Sequence, residues 1–93
     1  AGNFGWDDVG SWLAVARIKE NDDKGNVVNG NVVTVNTENC VIEGDKKLIA
    51  TVGLRDMIIV DTPDATLVST KENAGEIKQV LAKLREEGKN QYL

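Results

Sequence analysis

From Asn31 to Ser69 the chain is a succession of short β-branched runs, each closed by residues that favour turns. Residues 32–35, 40–42, 48–52, 57–60 and 66–68 are rich in Val, Ile and Thr, which suit the pleated surface of a strand. Between them fall residues 36–39, 43–46, 53–56 and 61–64, where Asn and Asp can bond their own backbone and Gly accepts a positive φ. Turns recurring at roughly 8 to 12 residues leave no room for a long helix. The region is therefore predicted to be an all-β unit of five short strands, either a meander or a small coil. Pro63 has no backbone donor and belongs in a turn.

The flanking segments have a helical period. Ile77, Val80, Leu81 and Leu84 stand at i, i+3, i+4 and i+7, with Glu76, Lys78, Lys83, Arg85 and Glu86 mostly off that face, so an amphipathic helix is predicted. Ser69, with Glu72 three residues on, has the form of a capping box, and Gly88 is placed to end the helix. The apolar stripe must be covered, either by the sheet or by a second chain. Near the start, Val9, Trp12, Leu13, Val15, Ala16 and Ile18 repeat at spacings of three and four, which predicts another helix within residues 1–20. Residues 21–30 hold two glycines and several Asn and Asp and read as a linker, with Asn29-Gly30 as a tight-turn signal. The expected organisation is a helical opening over 1–20, a linker over 21–30 and a β unit with a terminal helix over 31–93.

At 93 residues the chain has room for one small domain of modest stability. Fifteen acidic against eleven basic residues give a net charge of −4, the wrong sign for attraction to nucleic-acid phosphates, so no nucleic-acid partner is expected. No apolar run approaches the ~18 residues of a membrane span, so no membrane association is expected. The single cysteine, Cys40, cannot form an internal disulfide, and the default setting is reducing and cytoplasmic. Its place beside Val41 and Ile42 suits a buried, inert thiol rather than a nucleophile. The absence of histidine excludes His-based acid–base catalysis and His metal ligands. Lys46-Lys47 in a turn reads as a solvated pair.

The residues with most chemistry lie in Phe4-Gly5-Trp6-Asp7-Asp8-Val9-Gly10-Ser11-Trp12, which packs two tryptophans and two adjacent carboxylates between glycines. Asp7 and Asp8 admit two readings. They can cap the helix that follows, or they can form half of a site that holds Mg2+ against substrate phosphates. Gly10 and Ser11 could offer N–H and hydroxyl donors to an anion. Trp12 lies on the apolar stripe and suits the core, whereas Trp6 suits either packing or stacking on a sugar or base. Such a cluster would close an active site begun elsewhere, so the chain is expected to be part of a larger enzyme and inactive alone.

Taken together, residues 4–12, Asn31-Val-Val-Thr-Val-Asn-Thr-Glu-Asn-Cys-Val-Ile42, residues 50–62, Asp64-Ala-Thr-Leu-Val68 and the helix ending in Tyr92-Leu93 closely resemble the C-terminal region of bacterial mannose-1-phosphate guanylyltransferases. The resemblance covers nearly the whole chain. It implies a parent enzyme that makes GDP-mannose and pyrophosphate from GTP and mannose 1-phosphate. It also implies Asp8 as one Mg2+ ligand, with Gly10, Ser11 and Trp6 beside the sugar nucleotide. The family's glycine-rich nucleotide loop, first metal-binding aspartate and Glu-Lys-Pro segment do not occur in this sequence. The implied fold is mainly β (α+β): a short, irregular, left-handed β-helix-like unit between an N-terminal helix and a C-terminal amphipathic helix. The resemblance further implies a homodimer formed through the β unit and the final helix, and packing on the protein's own catalytic domain. Two other readings stay open from sequence: an independent binding or regulatory module, and the same chemistry on another hexose 1-phosphate.

Overall fold

The computed structural model describes residues 23–63 and 65–89; the helix expected within residues 1–20 lies outside them. Six strands follow in order: β1 Val27–Asn29, β2 Val32–Val35, β3 Val41–Glu43, β4 Ile49–Val52, β5 Met57–Asp61 and β6 Thr66–Thr70. A 3₁₀ turn at Ala74–Glu76 then leads into one helix, α1 Ile77–Glu86. β1, β3 and β5 pair in parallel, β6 adds antiparallel to β5, and β2 pairs in parallel with β4 in a second sheet. Strands β1 to β5 alternate between the two sheets, so the chain climbs as a coil, and β6 then turns back beside β5. A rung takes 14 residues from Val27 to its partner Val41 and 17 from Val41 to Ile58.

The central parallel strands β3 and β5 of the larger sheet are covered on both faces and are apolar on both. Val41, Ile58, Val60 and Leu67 join Ile77 and Leu81 of α1 in one buried cluster, with Leu84 packed against it. The intervening residues Ile42 and Ile59, with Cys40, form a second cluster against Val32 and Ile49 of the smaller sheet. Three layers result: the two-stranded sheet, the four-stranded sheet and the helix. Ile77, Leu81 and Leu84 of the α1 stripe are thus covered from within the chain, by the sheet, while Val80 stays partly exposed.

One corner of the coil repeats with fixed geometry. Gly25, Asn39 and Asp56, each two residues before a strand position in register, have φ of 78°, 52° and 57°. The side chain of Asn39 donates to Asp56 Oδ1 and accepts from Lys71 Nζ at 3.0 Å, which ties successive corners together. Inside the corner, buried Asn26 donates from Nδ2 to the Thr37 carbonyl at 2.8 Å and accepts from the Cys40 N–H at 2.8 Å. Buried Thr37 gives its hydroxyl proton to the Val35 carbonyl, which leaves Thr51 as the donor in the 2.8 Å contact between the two hydroxyls. The opposite corner varies: two residues join β1 to β2, whereas five join β3 to β4. There Gly30, at φ 101°, lies so close to the next rung that a Cβ would fall 2.9 Å from the Gly44 carbonyl carbon.

Two expectations are corrected. The stretch read as a linker contains β1, whose three residues are too few and too polar in setting to stand out but are pinned by β3. The Ser69–Glu72 capping box does not form, because Ser69 pairs with Ile58 inside β6 and α1 begins only at Ile77. Gly88 does end the helix. Its φ is 71°, its N–H donates to the Arg85 carbonyl at 3.2 Å, and the Lys89 N–H reaches the Leu84 carbonyl at 2.8 Å, a Schellman closure.

Candidate functional site

Trp6, Asp7, Asp8, Gly10 and Ser11 lie outside the described residues, so what the coil presents is surface rather than that motif. Cys40 is fully buried, with Sγ 3.3 Å from the Glu38 carbonyl and accepting from the Met57 N–H at 3.4 Å, which suits the inert thiol expected of it. Lys46 is exposed. Lys47 reaches Asp61 Oδ1 at 3.5 Å from a side chain that is 62% exposed.

Asp61 is the notable carboxylate. Its side chain is 4% exposed, Oδ1 also accepts from Thr66 Oγ1 at 2.7 Å, and Oδ2 is buried with no hydrogen-bond partner. It stands where β5 turns back into β6, and Thr62 beside it closes the turn on Ala65. This arrangement staples a turn. No group of three His, Cys, Asp or Glu able to hold a metal occurs among the described residues. An open cleft of about 270 Å³ lies between Asp23, Lys24, Thr34, Asn36 and Thr37. That is below the usual ~300–1,000 Å³ of a small-molecule site, and its lining holds one carboxylate and one ammonium rather than a set of cations for phosphate.

The smaller sheet carries the more telling surface. Val33 and Val35 of β2 stand opposite Ala50 and Val52 of β4, and all four point away from the coil. Val52 is 70% exposed, Val33 and Val35 about half, and Leu48 lies exposed just before β4. The interior column Val28–Ile42–Ile59–Val68 crosses the larger sheet in register, yet only its middle is covered, because the smaller sheet has two strands against four. Val28 and Val68 are left exposed at the two ends. Exposed apolar side chains gathered on one sheet face in this way are what a contact surface presents. Sequence reasoning missed it, since an unbroken Val-rich run reads equally as a strand buried on both faces.

Residues 30–84 match the family model of the MannoseP isomerase/GMP-like beta-helix domain. The chain belongs to this beta-helix family. Other members extend the match: a Vibrio cholerae protein named for mannose-1-phosphate guanylyltransferase is 41% identical over 95% of this chain and 19% of its own length. The alginate biosynthesis protein AlgA of Pseudomonas putida and a mannose-1-phosphate guanylyltransferase of Klebsiella pneumoniae are each 38% identical, over 94% of this chain and 18% of theirs. The chain thus spans about one fifth of the relatives it matches. A crystal structure from Thermus thermophilus, described as a mannose-1-phosphate geranyltransferase, superposes with a TM-score of 0.71 at 34% identity, covering 84% of this chain and 24% of that one. The beta-helix family and the climbing parallel strands agree with the coil expected from sequence.

Proposed function

We propose that this chain is the beta-helix region of a mannose-1-phosphate guanylyltransferase and serves that enzyme by packing and assembly rather than by chemistry of its own. One observation carries the reading: a relative named for that activity matches 88 of the 93 residues, a length that must take in most of the opening motif as well as the coil. In the parent reaction a phosphate oxygen of mannose 1-phosphate attacks the α-phosphorus of GTP, the bond to the β-phosphate oxygen breaks, and pyrophosphate leaves. By the resemblance, Asp8 would supply one carboxylate towards Mg2+, whose charge would offset that of the crowded phosphates. By the same resemblance, Gly10, Ser11 and Trp6 would serve the sugar nucleotide. The left hand of the coil comes with the resemblance, whereas a helix within residues 1–20 follows from the apolar spacing there and a cytoplasmic setting from the single cysteine.

The coil's own part is to present the outer face of Val33, Val35, Ala50 and Val52 to a second copy or to the catalytic domain, with the outer side of α1, where Val80 is 38% exposed, as a lesser contact. Transplantation tests the proposal. The Klebsiella relative, with its matching fifth replaced by this chain, should form GDP-mannose from GTP and mannose 1-phosphate, and should lose that activity on Asp8→Asn. An active Asp8→Asn chimera would remove Asp8 from the site. A chimera that folds but is inactive with Asp8 in place would count against the assignment.

A further inference from the structure

Asn29 closes β1 and is followed by Gly30, the single Asn-Gly pair in the sequence. Glycine offers no side chain to hinder attack of its backbone nitrogen on the asparagine Cγ. Among the described residues β1 pairs with β3 alone and is an edge strand of the four-stranded sheet. The Val27 N–H donates to the Cys40 carbonyl and the Gly44 N–H to the Asn29 carbonyl, so the odd residues of β1 bond to β3 and the Gly30 N–H faces the open edge. Asn29 is exposed, and its Nδ2 donates to Glu43 Oε1 at 2.9 Å. The other oxygen of that carboxylate, Oε2, is buried with no hydrogen-bond partner.

We propose that Asn29-Gly30 is a deamidation site whose product unlatches the first rung of the coil. Gly30 N bonds to Asn29 Cγ, the Cγ–Nδ2 bond breaks, and ammonia leaves with the proton from Gly30 N. Water then opens the succinimide at either carbonyl, giving aspartate or isoaspartate and restoring the Gly30 N–H. In an extended strand the Asn29 side chain stands out of the sheet while Gly30 N lies within it. Ring closure therefore waits on fraying of β1, a short edge strand with one neighbour. The aspartate product replaces the donor that faced Glu43 with a second carboxylate, and like charges at that distance repel. The isoaspartate product adds a methylene to the main chain where Gly30 already lies against Gly44.

Ageing the 93-residue chain in mildly alkaline buffer, followed by peptide mapping, should show the mass gain of deamidation first on the Asn29 peptide. Asn29→Gln, which cannot close the small ring, should abolish that gain. Asn29→Asp should melt lower than the parent by about 4 °C or more. Asn29→Asp with Glu43→Gln, which reverses the hydrogen bond, should restore most of the loss even where the single variant fails to fold. Conversion led by another asparagine, or a double variant no more stable than Asn29→Asp alone, would overturn the proposal.

Discussion

Asn26 is buried in a corner where no strand ladder runs, yet both ends of its amide are used, on the Thr37 carbonyl and the Cys40 N–H. Asn26→Ala would leave two backbone groups without their partner, so urea unfolding should show a loss of about 2–4 kcal/mol. Gly30 is constrained by space as well as by φ, and Gly30→Ala should cost about 2 kcal/mol or more, because the added Cβ meets backbone that has no rotamer to yield. Exposed Glu87 is the simpler case. A hydrogen bond from Lys89, 3.0 Å away, together with the Lys89 charge, holds its carboxyl below the ordinary value of 4.5. A depressed carboxyl contributes stability that is present above its unfolded pKa and is lost as pH falls through the folded one. Proton titration by NMR should accordingly show Glu87 moving up towards its ordinary value in Lys89→Ala, by less at high salt.

Among the elements, α1 tests the three-layer arrangement most directly. Leu81 is buried against the sheet and Leu81→Ala should cost about 2–4 kcal/mol, whereas Val80→Ala, one position away and partly exposed, should cost about 1 kcal/mol or less. This helix was legible in sequence because its stripe repeats through two turns and its glycine stop is chemically unambiguous. Strands β2 to β6 were legible from β-branched runs between turn residues. β1 was not, since Val27-Val28-Asn29 sits among Asn, Gly and Lys and becomes a strand only through pairing with Val41–Glu43. The helix start also escaped, for a related reason: Ser69 and Glu72 satisfy a local capping pattern, but pairing with Ile58 carries Ser69 into β6. Parallel pairing itself joins residues 14 and 17 apart and leaves no local trace.

At the scale of the whole molecule, the apolar outer face of the smaller sheet is the feature with most to say about assembly. Val52→Lys removes apolar surface that is already solvent-exposed, so thermal stability should change little, within about 0.5 kcal/mol. If the face joins two copies, sedimentation velocity should show the parent chain dimerising with rising concentration and Val52→Lys remaining monomeric. Equal behaviour of the two would shift the contact to another surface. The opening motif was recognisable as chemistry from its residue types, but its roles came only with the family resemblance. The apolar face was not recognisable, because strand period alone does not tell which side a sheet covers. The two kinds of corner carry a practical consequence. Six steps separate Val35 from Val41 and six separate Val52 from Ile58, whereas the β1–β2 and β3–β4 joints differ by three residues within one regular coil. The joint at residues 44–48 is thus a natural port: an epitope or fluorophore-binding peptide spliced between Asp45 and Lys46 can loop into solvent without disturbing the rungs, whereas the same splice at Thr37 would tear the stack apart.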